Sequence, residues 1–378
     1  MTATPSATPK PVRVFLPCTG LGRQRRGFET FTAECATALA GDPRVELRVF
    51  AGGPAAGVDA RVLWNTPRDS RAATWLSTLH RRGPYFSEQF TFFLSLLPAL
   101  LSQDPDVVYF ADLNLGNLCW HVRRLARRRY RLLYYNGGLT TMPFTRSDLV
   151  QQLTPEGLAE ATRRGENPAR QVVLPHGVRI APTLPPRILG AERARLDLPA
   201  DRPVVLGVGL LDREVKRMDL LIREVASLPH PRPFLCLLGA ESPETPGLHD
   251  LARAELGADG VLMRTVPHER VGDYYRAADV FALASMREGF GLAYVEAMAH
   301  GLTVVAHDTP VTRYLMGEHG RLVDFTTAGS AAQAIAHAMA MPATDADRAA
   351  RHAWARERFG WDSLRESYVA MLVKAAAA

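Results

Sequence analysis

Two carboxylates stand eight residues apart in Arg287-Glu288-Gly289-Phe290-Gly291-Leu292-Ala293-Tyr294-Val295-Glu296-Ala297-Met298-Ala299-His300-Gly301. On a continuous helix that spacing leaves them about 80° apart around the axis and roughly 12 Å along it, so a ligand as long as a nucleotide sugar would touch both. The turn Glu288-Gly289-Phe290-Gly291 puts backbone N–H groups at a helix N-terminus, where the macrodipole favours phosphate or electron-rich sugar oxygens. Glu296, two turns further in, gains nothing from the dipole and interrupts an apolar face of Leu292, Val295, Met298 and Ala299. Its carboxylate suits a ribose diol. An isolated pair of this kind is most often a helix start and a solvated position; the surroundings argue for more.

A second candidate is Lys216. Arginine carries nearly all the positive charge, and the only lysines are Lys10, Lys216 and Lys374, of which the first and last lie in the terminal segments. A lone interior lysine needs a reason. It follows the apolar run Val204-Val205-Leu206-Gly207-Val208-Gly209 and precedes the helical pattern that starts near Met218, so it sits in a strand-to-helix loop.

The elements that would hold these residues recur along the chain. Val12–Pro17, Val45–Phe50, Val107–Phe110, Arg131–Tyr135 and Gln171–Pro175 read as buried strands with helical stretches between them, and the rhythm begins afresh at Val204–Gly209 and Phe234–Gly239. At 378 residues the chain exceeds one comfortable core. Two doubly wound α/β halves follow, with ligand expected in a cleft between them, outside the carboxyl ends of both sheets. The proline-rich stretch Ile180–Arg187 suits a linker. The expected division is residues 1–180 and 181–357.

The N-terminal loop Thr19-Gly20-Leu21-Gly22-Arg23-Gln24-Arg25-Arg26-Gly27 is not a dinucleotide fingerprint, because Arg25 occupies the third glycine position and no acid ends the following strand. An oxidoreductase is disfavoured on that ground. The four cysteines, at 18, 35, 119 and 236, lack CxxC spacing, against a zinc site or a disulfide scaffold.

The segment around Glu288 and Glu296 resembles the signature of the retaining GT-B glycosyltransferases of the family 4 type, whose core is an acid, seven residues and a second acid. Upstream, Tyr274–Ser285 is similar to the family's helix, Ala-Asp and apolar strand; downstream, Gly301–Ala306 is similar to its next strand. The resemblance implies the GT-B fold, two Rossmann-like domains with the C-terminal segment 358–378 crossing back onto the first. That return is similar to Arg358–Tyr368, with Asp362 or Ser363 expected as helix N-cap. It implies transfer of a hexose-type sugar from a nucleoside diphosphate to an acceptor hydroxyl with retention of configuration. Lys216 would hold the leaving diphosphate, with Gly209 and Arg217 in the same loop. Glu288, Gly289, Phe290 and Gly291 would meet the donor sugar, Glu296 the ribose, and the strand holding Met263 the base. Gly20, Gly22 and Gly27 resemble the first-domain loop beneath donor and acceptor, and Asn136 stands where relatives carry a sugar-contacting histidine. Many relatives have an arginine where this chain has Leu210. His176-Gly177 is read as a structural turn. A nucleotide-sugar-binding partner without catalysis, a regulatory subunit of the same fold, is the alternative.

By the same resemblance no metal and no cofactor is expected, and UDP is the favoured donor nucleotide with GDP next. Asp104-Pro105-Asp106 reads as a helix-to-strand turn and Asp345-Ala346-Asp347 as helix-capping acids rather than metal ligands. A net charge of +6, with Tyr130 the single aromatic in Arg123–Arg131 and no RNA-binding signature, does not suggest nucleic acid. Arg81-Arg82-Gly83-Pro84-Tyr85-Phe86 and the apolar run Phe90–Leu101 suit either a buried helix or a peripheral membrane surface, too short and proline-interrupted to span. Residues 1–10 hold no apolar core, so a loose tail, no signal peptide and a cytoplasmic location, free or peripheral at the inner membrane face, are expected. The acceptor and the oligomeric state have no sequence signal.

Overall fold

The short apolar runs become strands in two all-parallel sheets. The computed structural model describes residues 10–24, 27–138 and 143–378, so the expected tail over residues 1–9 and the fingerprint position Arg25 lie outside the described residues. The first sheet contains β1 (Val12–Cys18), β2 (Val45–Ala51), β3 (Ala60–Val62), β4 (Val107–Phe110), β5 (Arg131–Asn136), β6 (Leu149–Gln152) and β7 (Gln171–Val173). Its helices are α1 (Gly27–Leu39), α2 (Arg71–His80), α3 (Pro84–Ser102), α4 (Leu113–Leu125) and α5 (Pro155–Arg163). The strand order is β3-β2-β1-β4-β5-β6-β7.

The second sheet contains β8 (Val204–Val208), β9 (Phe234–Leu238), β10 (Val261–Arg264), β11 (Val280–Leu283), β12 (Thr303–His307) and β13 (Gly320–Val323), in the order β10-β9-β8-β11-β12-β13. Its helices are α6 (Met218–Ala226), α7 (Thr245–Leu256), α8 (His268–Ala277), α9 (Leu292–Ala299), α10 (Pro310–Met316), α11 (Ser330–Ala340) and α12 (Asp345–Phe359). This is the doubly wound order in which the winding reverses between the first and fourth strands, here β8 and β11. In the first sheet the reversal lies between β1 and β4.

The chain divides into two compact units, Met1–Gly177 with Trp361–Ala378, and Val178–Gly360. The returning helix α13 (Trp361–Ala377) is therefore part of the first unit. Glycine makes room for it: a Cβ on Gly177 would stand 2.5 Å from the Trp361 ring, whose Nε1 donates to Glu34 Oε2 at 2.9 Å. Fully buried Tyr368 donates its hydroxyl to Pro175 O at 2.7 Å. The expected cap is corrected: the helix starts at Trp361, directly after Gly360, and Asp362 and Ser363 are its second and third residues.

The stretch Ile180–Arg187 is not a free linker. Ile188 N donates to Arg276 O at 3.0 Å and Arg187 pairs with Asp279, so both anchor to the second unit. The first core gathers Phe15, Phe50, Phe92, Leu96, Val108 and Phe110 between sheet and helices. The run Phe90–Leu101 lies in α3, burying Phe92, Leu96 and Leu100 completely while Phe90 and Leu94 stay exposed.

Candidate functional site

At the carboxyl ends of β8 and β11, two loops from opposite sides of the winding reversal meet. The first, Gly209–Arg217, is folded by Asp212, whose Oδ1 accepts from Val215 N at 2.9 Å and Lys216 N at 2.7 Å. This side-chain mimic of a turn bends the chain back on itself. A Cβ on Gly209 would lie 3.1 Å from the Lys216 stem, so the glycine gives the lysine its floor. Gly239, at the end of β9, has the same function for the backbone: a Cβ there would sit 1.6 Å from Gly209 O. Asp212 and Gly239 carried no signal of their own in the sequence.

The second loop, 284–291, leads into α9. Buried Ser285 ties it to the first by donating to Val215 O at 3.0 Å. Lys216 Nζ then reaches Glu288 Oε1 at 2.6 Å, with the lysine side chain 20% and the glutamate side chain 9% exposed. A cation and an anion from the two loops are thus paired at the switch point, where doubly wound sheets bind ligands.

Gly291 adopts φ 95°, a left-handed conformation suited to glycine, and α9 begins only at Leu292. This corrects the continuous-helix reading of the two acids: Glu288 is in the loop, and Glu296 is the fifth residue of the helix, little more than one turn in. The first N–H groups of α9 have no partner within the helix by construction. Phe290 is buried against Phe359, with ring centroids 5.7 Å apart.

Glu296 is held by a residue the sequence did not single out. Tyr275 donates its hydroxyl to Glu296 Oε2 at 2.9 Å, and the His300 ring stacks on Tyr275 at 5.1 Å. Burial, reinforced by the adjacent carboxylate, pushes the Tyr275 hydroxyl well above its ordinary pKa, so it is a hydrogen-bond donor at any working pH. Burial also lowers the pKa of His300.

Arg217 is committed elsewhere. It caps α6 at φ 50°, and its guanidinium forms a fork with Asp219, Nε to Oδ1 at 3.0 Å and Nη2 to Oδ2 at 3.1 Å. Arg213 Nη2 donates to Gly247 O at 2.5 Å. Leu210 is 42% exposed. Met263 lies on the edge strand β10, two strands from β8, about 10 Å across the sheet.

The reversal of the first unit looks different. A Cβ on Gly20 would fall 2.1 Å from Glu29 Oε1, and one on Gly22, at φ 83°, 2.3 Å from Gly53 O. Gly27 is the first residue of α1. Thr19 Oγ1 donates to Asp112 Oδ2 at 2.9 Å, and Tyr85 donates to the other oxygen of this carboxylate. Burial raises the Asp112 pKa. Arg68 lies over Tyr85 at 4.1 Å and pairs with buried Glu88 at 2.6 Å. Asn136 is two strands away from Gly20 and Gly22, donating Nδ2 to Gln152 Oε1 at 2.8 Å, with Oδ1 buried and unpaired among the described residues. His176 is buried, 2.5 Å from the Tyr135 hydroxyl, and burial lowers its pKa to about 3.

The two DxD spellings are structural. Asp106 Oδ2 accepts from Arg13 N at 2.7 Å and Asp104 pairs with Arg128 at 2.9 Å, in the turn between α3 and β4. Thr344, rather than an aspartate, is the N-cap of α12, with Asp347 completing its capping box. Among the described residues, no three of His, Cys, Asp and Glu gather as metal ligands, and all four cysteines are buried and free.

With this geometry in place, the comparisons with known proteins become informative. Residues 190–356 match the family model described as glycosyl transferases group 1. Over that segment the chain is similar to the group 1 family, and its fold is GT-B. The chain is 34% identical over 225 residues to the D-inositol 3-phosphate glycosyltransferase of Kineococcus radiotolerans, covering 54% of this chain and 51% of that protein. It is 32% identical over 189 residues to the lipopolysaccharide core biosynthesis glycosyltransferase LpsE of Rhizobium meliloti, covering 49% of this chain and 54% of that one. The chain thus spans about half the length of the curated relatives it matches. Among solved structures, sucrose-phosphate synthase from Thermosynechococcus elongatus superposes with TM-score 0.77 at 22% identity, covering 97% of this chain and 100% of that one. The Anabaena protein HepE in complex with UDP and glucose gives 0.73 at 18% identity, covering 96% and 100%. At these identities the likeness concerns the fold.

Proposed function

We propose that the protein is a retaining glycosyltransferase that moves a hexose-type sugar from a nucleoside diphosphate to an acceptor hydroxyl. The observation that carries this reading is the Lys216–Glu288 pair at the switch point, with Glu296 little more than one turn into the helix that follows. A diphosphate arriving at Lys216 competes with Glu288 for the ammonium, freeing the carboxylate to accept hydrogen bonds from sugar hydroxyls. Glu296, pre-oriented by Tyr275, takes the ribose diol. The loop amides of Gly289, Phe290 and Gly291 add fixed donors, and β10 with Met263 offers backbone to the base. Arg217 is left out of donor binding here, because its fork with Asp219 occupies the guanidinium.

In the step itself, the bond from the anomeric carbon to the diphosphate oxygen breaks while a bond from the acceptor oxygen forms on the same face. The acceptor proton passes to the departing diphosphate oxygen. Lys216 and the loop amides stabilise the growing negative charge, the kind of prearranged electrostatics that does most in a water-poor site. No metal or cofactor enters this scheme. Gly20, Gly22, Gly27 and Asn136 are assigned to the acceptor side. Asn136 cannot be a base, so it serves only as a hydrogen-bonding group.

UDP is the favoured nucleotide, a choice supported by the UDP complex of HepE. A thermal-shift comparison of UDP, GDP, ADP and TDP tests it; a larger shift with any of the others would reassign the donor. Exposed Leu210, where many relatives carry an arginine, favours the second reading of a nucleotide-sugar-binding partner without catalysis. Slow hydrolysis of the donor without acceptor separates them: an enzyme releases sugar, and a binding module does not.

A cytoplasmic location and peripheral docking on an anionic membrane belong to the same proposal. Trp75 and Leu79 on α2, Phe90 and Leu94 on α3, and Trp64 are all exposed, beside Arg71, Arg81 and Arg82. Among the described residues no helix is long and apolar enough to cross a membrane. Sedimentation with vesicles containing phosphatidylglycerol should carry the protein down, and Trp75→Ser/Leu79→Ser should reduce this; equal pelleting of both would reject the patch.

A further inference from the structure

The second unit has a cavity of about 360 Å³ at the opposite end of its sheet, and nothing in the donor reading uses it. It opens at the amino ends of β8, β11 and β12, where Pro203, Asp279 and Thr303 lie in its wall. One strand length, about 16 Å, separates this end of β8 from the Gly209 loop. The volume falls in the range of small-molecule sites.

Its lining mixes arginines with apolar side chains. Four arginines, Arg187, Arg193, Arg202 and Arg348, face two acids, Asp201 and Asp279. Asp279 is shared: Arg187 pairs with Oδ1, Arg193 Nη2 lies 2.8 Å from Oδ2, and Val204 N also donates to Oδ2 at 2.8 Å. Arg193 is 4% exposed, and its Nε is buried without a partner among the described residues. Arg202 lies against the Phe234 ring and the Asp259 carbonyl.

Arg348 is the least compensated of the four. Its side chain is only 13% exposed, yet its nearest carboxylate is Asp345 at 3.8 Å, which is itself fully in solvent. Its other contact is a long one, Nη2 to His300 O at 3.4 Å. Burial, and after it the neighbouring Arg187, depress its pKa. Leu189, Leu302, Met339 and Pro342 complete the wall.

We infer that this cavity binds a small phosphorylated metabolite, its phosphate bridging Arg348 and Arg187 and its carbon skeleton resting on Leu302 and Met339. A phosphate dianion matches two arginines in one cavity wall better than a monoanion, because it can neutralise both and accept from each planar fork. The pocket also has a contact route to the donor acid. Its wall at Gly301 directly follows α9, Arg348 touches the His300 carbonyl, and the His300 ring stacks on the Tyr275 that holds Glu296. The occupant is therefore placed as an effector at the far end of the donor helix.

The test is calorimetric titration of the full chain with inorganic phosphate and with glucose 6-phosphate at constant ionic strength, without any nucleotide. Four proteins are compared: wild type, Arg348→Gln, Ala343→Trp, which fills the mouth while keeping every charge, and Lys216→Ala. Saturable binding that survives Lys216→Ala and weakens at least ten-fold in both Arg348→Gln and Ala343→Trp is expected, with the sugar phosphate tighter than phosphate. Should Arg348→Gln fail to fold, Ala343→Trp decides alone. No saturable binding, or binding lost in Lys216→Ala and kept in the pocket variants, overturns the inference. Because no nucleotide is present, this result is independent of whether the donor assignment stands.

Discussion

The two units share a parallel sheet wound outward from a central reversal, yet they use that reversal in opposite ways. In the second unit it presents a partly accessible ion pair, Lys216 with Glu288, on loops shaped by Gly209, Gly239 and Gly291. In the first, the reversal is filled with its own polar network, Thr19 and Tyr85 on the buried Asp112 carboxylate, with glycines pressed against Glu29 and Gly53. One crevice is arranged around charges that a ligand can take over. The other is arranged around charges already satisfied, which fixes loop shape at the cost of open binding groups. The difference teaches that the same topology yields a charge-exchanging site or a rigid scaffold according to whether its loops bring in unlike charges from opposite sides.

The sharpest way to break this contrast is Lys216→Ala. Removing a charge that stabilises developing negative charge should lower kcat/KM by about 10²- to 10³-fold. Steady-state kinetics with the preferred donor checks it, and activity near wild type would reject the assignment. In the first unit Gly22→Ala should do the reverse. Its φ of 83° and the 2.3 Å approach of a Cβ to Gly53 O predict a loss of about 2–3 kcal/mol in denaturant unfolding, while nucleotide affinity stays put.

Glu296→Gln sharpens the comparison within the donor site. The amide can still accept from Tyr275 but is a weaker acceptor for a diol, so calorimetry should show nucleotide affinity falling about ten-fold. A separate, pH-dependent effect concerns His176. Its folded pKa of about 3 lies below the ordinary 6.5, so the unfolded chain binds the extra proton between those values. Its contribution is complete above about pH 6.5 and is lost as pH falls toward 3. His176→Gln should flatten the acid limb of the stability profile in that window; an unchanged slope would show that His176 is not the group responsible.

Much of the fold could be read directly because strands covered on both faces appear as continuous apolar runs. The strands β3, β6 and β13 could not: Ala60-Arg61-Val62, Leu149-Val150-Gln151-Gln152 and Gly320-Arg321-Leu322-Val323 are short, mixed in polarity and in two cases at a sheet edge. The start of α9 was misplaced because an acid-glycine turn is indistinguishable from a first helical turn until Gly291 is seen at φ 95°. The loop positions of Lys216 and Glu288 were legible because each lies in a local strand-loop-helix pattern. Tyr275 and Asp212 were not, since a buried tyrosine and a loop aspartate look the same whether or not they orient a neighbour. Least visible was the first-unit network, whose Thr19, Arg68, Tyr85 with Glu88 on α3, and Asp112 come from four separate places in the chain and meet only through the winding of the sheet.

Amide hydrogen exchange with and without saturating UDP bears most directly on the claim that the second unit's switch point holds the donor. Slowed exchange concentrated in residues 209–217 and 284–296, and abolished by Lys216→Ala, is the predicted result. Protection absent from those two loops, or confined to residues 19–24 and 111–114 of the first unit, would contradict it.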